Sequence, residues 1–128
     1  MIRDSAGNLY GTTNQGGSGN SGVVYKVDTS GHETVLYAFT GGADGGNPGG
    51  GVVRDSDGNL YGTTNGGGCC GVVYKVDTAG NETVLHTFTG VVDGGGPYGS
   101  LLRDSTGNLF GTASYGGKNG GGVLFVLH

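Results

Sequence analysis

Short runs of the chain alternate apolar and polar positions, and each run is closed by Gly, Asn, Asp or Ser. The clearest is Val72–Asp77. Val72, Tyr74 and Val76 fall on one face, and Val73, Lys75 and Asp77 on the other. This predicts a strand with two distinct sides. Leu60–Thr64, aromatic and β-branched, predicts another, preceded by a short one ending at Arg54. Thr83–Phe88 predicts a fourth, with Val84, His86 and Phe88 on one face. Its upstream counterpart places Val35, Tyr37 and Phe39 together. Ser56-Asp57-Gly58-Asn59 and Thr78-Ala79-Gly80-Asn81 predict hairpin turns. Apolar residues nowhere recur at 3.6-residue spacing, so no helix longer than a turn is expected.

This set of strands repeats. Gly58-Asn59-Leu60-Tyr61-Gly62-Thr63-Thr64 occurs in the same letters at 7–13, and as Gly107-Asn108-Leu109-Phe110-Gly111-Thr112-Ala113. The preceding Arg-Asp-Ser recurs after 51 and then 49 residues. Such a period, with several strands per unit, predicts a single repeat domain, 1–128, of propeller-like blades. The expected blades are 1–40, 50–89 and a partial third at 99–128. That is an all-β fold with four antiparallel strands in each of the first two units and three in the last, eleven in all. A β-sandwich is the structural alternative. Just under three blades cannot close a ring of roughly 4–8. The expectation is therefore a homo-oligomer or further repeats of a longer chain, with Val123–Leu127 as an inviting edge.

Composition sharpens this picture. Glycine supplies 33 of 128 residues, clustered between apolar runs at the same place in each unit, which reads as ordered turns. The net charge is −4 with no basic run, which argues against nucleic acid. No apolar stretch approaches the roughly 18–20 residues of a membrane span. Met1-Ile2-Arg3 enters the first repeat directly, so no signal peptide is expected within this sequence.

Of six Lys and Arg and ten Asp and Glu, all but Asp57 and Lys118 recur in register. An active site needs differentiated groups, so charges copied once per unit read as scaffold. The chain is expected to be no enzyme and to need no cofactor or metal. Two Gly-x-Gly-x-x-Gly matches, Gly17–Gly22 and Gly66–Gly71, open no helix and carry no nucleotide-binding signal. Asp55-Ser56-Asp57-Gly58-Asn59 has the alternate oxygens of a calcium loop, but Ala6 and Thr106 stand at the Asp57 position in the other copies. His32, His86 and His128 occupy non-equivalent positions without zinc spacing.

These motifs resemble the GloVer repeat of bacterial surface and secreted proteins. The resembling residues are Asp55–Thr64, Gly71–Asp77 and Thr83–Phe88. The strand order is more loosely similar to NHL-type propeller blades. The resemblance implies an extracellular or cell-surface propeller-like array, and no catalytic residues.

Two features stand apart from the regular repeat. Cys69 and Cys70 are adjacent, with Cα atoms about 3.8 Å apart against the roughly 4.4–6.8 Å of ordinary disulfides. A vicinal disulfide in an oxidising compartment, free thiols and intermolecular pairing are all open. In a propeller, the loops Asn14–Ser21, Asn65–Cys70, Ser114–Gly121, Thr40–Gly50 and Thr89–Gly99 emerge on one face. Variable loops on a rigid scaffold are where binding normally resides. Asp44, Asn47, Asp93, Tyr98 and Tyr115 are the candidate ligand-binding residues there, suited to a glycan; hydrogen bonding within the loops is the plainer role for Asp44 and Asp93. The function expected is a non-enzymatic scaffold for adhesion, assembly or recognition. A carbohydrate-binding propeller completed by oligomerisation is the alternative, and a propeller lyase or hydrolase the third.

Overall fold

The computed structural model describes residues 1–128. It contains twelve strands and no helix. The first sheet runs β1 (Ile2–Arg3), β2 (Leu9–Thr13), β3 (Val23–Val27) and β4 (Glu33–Ala38). The second holds β5 (Gly46–Pro48), β6 (Val53–Arg54), β7 (Leu60–Gly66), β8 (Val72–Val76) and β9 (Glu82–Thr87). The third is β10 (Leu102–Arg103), β11 (Leu109–Ala113) and β12 (Val123–Leu127). All pairings between strands are antiparallel. Each sheet is open at both edges, so none closes on itself as a barrel.

The strand count of eleven is corrected to twelve. The extra strand, β5, lies in the expected loop Thr40–Gly50. It pairs with the far end of β7 through Gly46↔Gly66 and Pro48↔Thr64, while β6 pairs with the near end. Nothing in Gly-Asn-Pro has strand propensity, and Pro48 has no N–H to donate, so an edge position suits it. Tertiary contacts hold the segment instead. The Asn47 N–H donates to Ser21 O at 2.6 Å and its side-chain amide donates to Asn14 O at 2.9 Å. The connection therefore hydrogen-bonds to the first unit while pairing with the second sheet.

The single-face reading of the fourth strands is also corrected. Val73 pairs with His86, but Tyr74 pairs with Val84, so Leu85 is an extra residue. In the first sheet Val24 pairs with Tyr37 and Tyr25 with Val35, leaving Leu36 extra. A bulge of one residue shifts a period of two by half. Val84 consequently packs into the cluster shared with the first sheet, and Phe88 into the one shared with the third. Val35 is left 49% exposed on the outer side of the first sheet, while Phe39 is fully buried against the second.

The core is two inter-sheet layers. One gathers Tyr10, Val24 and Phe39 from the first unit with Leu60, Val72, Tyr74 and Val76 from the second. The other gathers Val73 and Phe88 from the second with Leu101 and Leu109 from the third. The second sheet is thus covered on both sides, as the two-faced alternation of Val72–Asp77 requires. Edge-on aromatic contacts join the units: Phe39 to Tyr74 with centroids 4.9 Å apart, and Phe88 to Phe125 at 5.1 Å. Thr12 Oγ1 donates to Gly50 O at 2.7 Å, and Thr63 Oγ1 to Gly99 O at 3.4 Å, tying each sheet to the connection beyond it.

Candidate functional site

Three groups of side chains could carry chemistry: the turn carboxylates, the long-loop residues, and those between the sheets. The turn carboxylates are consumed by the fold. Asp55 Oδ1 accepts from the Asp57 and Asn59 backbone N–H groups, and Oδ2 accepts from the Asn59 side chain and the Tyr61 hydroxyl. Asp4 repeats the arrangement with Asn8 and Tyr10. Asp104 repeats it with Asn108, without the phenol because Phe110 stands there. Against the upward push of burial, these donors hold Asp55 at about 2. Asp4 and Asp104, held first by the Asn8 and Asn108 side chains, also lie at about 2. Such groups stay ionised at neutral pH and exchange no proton there.

The loop residues are placed as follows. Asp44 accepts from the Thr40 N–H at 2.9 Å, the Thr40 hydroxyl, and the Tyr37 hydroxyl at 2.8 Å. Asp93 accepts from the Thr89 N–H and hydroxyl and lies 3.0 Å from His86 Nε2. Each closes its own loop, as the matching bonds Gly41 N–H to Gly45 O and Gly90 N–H to Gly94 O show. Asn47 serves the inter-unit strap. Tyr98 is exposed and accepts from the Asn65 side-chain amide at 3.1 Å. The Tyr115 ring lies over Gly95 and Gly96, where an added Cβ would come within 2.8 Å of it. Cys69 and Cys70 are bonded to each other, with Cys70 buried in the second layer. These residues line no common cavity. No three His, Cys, Asp or Glu side chains converge to hold a metal ion.

The structure's two cavities lie elsewhere, beside the tight turns. One, of about 310 Å³, opens between the second and third sheets and is lined by Tyr61, Lys75, Leu85, Leu109 and Leu127, with His128 at its rim. The other, of about 130 Å³, opens at the equivalent place between the first and second sheets, among Tyr10, Lys26, Leu36, Arg54, Leu60 and Asp77. Tyr and Lys in each are directly cross-strand: Tyr10↔Lys26 and Tyr61↔Lys75. The Leu in each is the bulge residue of the fourth strand, turned into the cleft by the register shift. Sequence reading passed these residues over because they recur in register and so resembled scaffold. The available signal was a Lys placed mid-strand opposite an aromatic in two successive units.

Burial pushes Glu82 up to about 7, with the Asp44 charge adding to it. Its Oε2 and the Tyr74 hydroxyl are both buried without a protein partner. A carboxyl raised from 4.5 binds its proton more tightly in the folded chain than in the unfolded one, so it costs stability as pH rises from 4.5 through about 7. The turn carboxylates act oppositely: their stabilisation is present above 3.8 and lost as pH falls towards 2. Maximal stability is therefore expected between those windows. Glu82→Gln is expected to stabilise by about 1 kcal/mol at pH 8, the shift being discounted for the exposed part of the side chain, and to change little at pH 4. Chemical denaturation at the two pH values checks this; equal effects at both would remove Glu82 as the cause.

Two copies of a four-stranded antiparallel meander and a three-stranded third, stacked through apolar faces with a cleft at each junction, define an all-β tandem-repeat protein. The chain belongs to the Gloeobacter/Verrucomicrobia repeat family, whose model matches residues 1–128. No curated protein matches it.

Proposed function

We propose that this chain is a non-enzymatic, propeller-like repeat scaffold of the extracellular or cell-surface kind, which takes further blades across its two open faces. The carrying observation is the chemistry of those faces. On the outer side of the third sheet, Leu102 and Leu124 are 69% and 72% exposed. Their register equivalents in the second sheet, Val53 and Val73, pack against the third. On the outer side of the first sheet lie Tyr25, Val27 and the exposed Val35. Their equivalents Tyr74, Val76 and Val84 are packed against the first sheet. The two outer faces are thus the two halves of an interface the chain already builds twice.

Further blades, from the same polypeptide or a second copy, have that interface as a template. Copies joined head to tail would form a ring or an open filament according to the rotation per copy. The Cys69–Cys70 disulfide supports an oxidising compartment. The non-enzymatic reading rests on the uniformity of the aspartates, which, Asp57 apart, accept hydrogen bonds within their own turns or loops. Light scattering after size exclusion tests the assembly. Mass is expected to grow with concentration, and Leu124→Lys is expected to suppress that growth by at least about tenfold in concentration without changing the unfolding midpoint. A monomer at every concentration would overturn the reading.

A further inference from the structure

We infer that the two inter-sheet clefts are successive subsites for a carboxylate-bearing polysaccharide, one sugar ring at each junction. This goes beyond the scaffold reading and does not require that copies assemble.

The first support is unpaired charge. The only salt bridge in the structure is His86 to Asp93. In a chain of net charge −4, Lys26, Arg54, Lys75 and Arg103 therefore all lack a carboxylate partner. Three of them lie near tyrosine rings at the clefts instead, and Lys26 lines the smaller cleft opposite Tyr10. The Arg54 guanidinium lies 5.8 Å from the Tyr10 ring centroid, and Lys75 Nζ and the Arg103 guanidinium each lie 6.0 Å from that of Tyr61. The nearby acids Asp4, Asp55 and Asp77 accept hydrogen bonds within their own hairpins, and none comes within ion-pair distance of these cations. Each junction thus presents two cations with open coordination beside a cavity.

The second support is the cavity lining. Leu85, Leu109 and Leu127 make an apolar wall beside Tyr61 in the larger cleft. Leu36, Leu60 and Tyr10 make its counterpart. Apolar and aromatic surface suits the C–H face of a pyranose, while the cations suit a carboxylate on its rim. The clefts differ where Asp77 in the smaller is replaced by His128 in the larger, so no carboxylate side chain lines the junction of the second and third sheets.

The third support is repetition. Two equivalent clefts on one rigid stack match a ligand that itself repeats, so that the second contact follows the first at high effective concentration. A nucleic acid would call for a longer run of positive charge than two cations per junction. An extended peptide would add to a strand edge, whereas these cavities are lined by side chains.

The test uses the whole chain and trigalacturonate as probe, followed by amide NMR shifts and calorimetry. Shifts are expected at Tyr61, Lys75, Leu85 and Leu109. The fully methyl-esterified trisaccharide, which keeps the rings and loses the charge, is expected to bind at least about tenfold more weakly. Lys75→Gln and Arg103→Gln are each expected to weaken trigalacturonate by about fivefold or more with unfolding midpoints unchanged. Leu85→Glu, at an exposed position that needs no repacking, is expected to abolish the shifts by placing a negative charge in the larger cleft. Equal binding of the methyl ester, shifts confined to the loop edge around Asn65 and Tyr98, or no response at millimolar trigalacturonate would each overturn the proposal. So would equally tight binding of triglutamate, which carries the charge without the rings.

Discussion

Gly62→Ala is expected to destabilise the protein by about 2–3 kcal/mol, seen as a lower midpoint in urea at unchanged slope. Gly62 lies directly across from Tyr74, and the phenol ring covers the place a side chain would occupy. An added Cβ would sit 2.5 Å from the Tyr74 hydroxyl oxygen and 2.7 Å from Cζ. Tyr74 is fully buried between the first and second sheets, so its ring has nowhere to retreat. The same pairing recurs as Gly11↔Tyr25 and Gly111↔Phe125, which accounts for the glycine inside each Leu-aromatic-Gly-Thr strand. The requirement is one of space, because none of these three glycines takes a positive φ. Gly121→Ala, with open space around the added carbon, serves as the neutral control. Pairing Gly62→Ala with Tyr74→Leu separates this cause from any other. If ring and methyl compete for one volume, the double variant should be more stable than the sum of the single losses implies. Strict additivity would mean the contact is not the cause.

The second large effect concerns the bulge. Phe39→Ala is expected to cost about 3–5 kcal/mol, the usual range for emptying a buried aromatic site. Phe39 is completely buried and edges onto both Tyr37, at 5.1 Å, and Tyr74, at 4.9 Å. Val35→Ala is expected to cost no more than about 0.5 kcal/mol in the monomer, because Val35 is half exposed on the outer side of the first sheet. A strand without the bulge puts both residues on one face and predicts comparable losses. Equal losses would therefore remove the register shift from the account.

These substitutions mark the limits of what the sequence alone conveys. The strand at Val72–Asp77 was legible because Val72, Tyr74 and Val76 alternate with Val73, Lys75 and Asp77, and the two sides meet two different sheets. The hairpins were legible because Gly beside Asn, Asp or Ser supplies the positive φ a tight turn needs, as Gly58 and Gly80 do. The bulge was not legible. Val84-Leu85-His86 and Val35-Leu36-Tyr37 contain no glycine and no break in character, so nothing local marks Leu85 or Leu36 as extra. Strand β5 was hidden for the opposite reason. Its residues favour turns, and its hydrogen bonds go to Ser21, Asn14 and β7, all distant in sequence.

The candidate site follows the same division. Asp44 and Asp93 stood out as carboxylates in variable loops, yet Thr40 and Thr89, four residues upstream, take up their oxygens in closing the loops. The clefts draw Tyr and Lys from one unit and Arg and Leu from the next, so no single stretch contains one.

The amino-acid sequence by itself determined the repeat, the all-antiparallel strands, the tight turns and the side of each third strand. All of these depend on interactions within a few residues or on a period that local chemistry enforces. Only the tertiary structure decided which faces meet, where the register slips, and which cations and rings share a cavity. Those outcomes depend on how neighbouring units exclude water from one another, and that is a property of the stack rather than of any one unit.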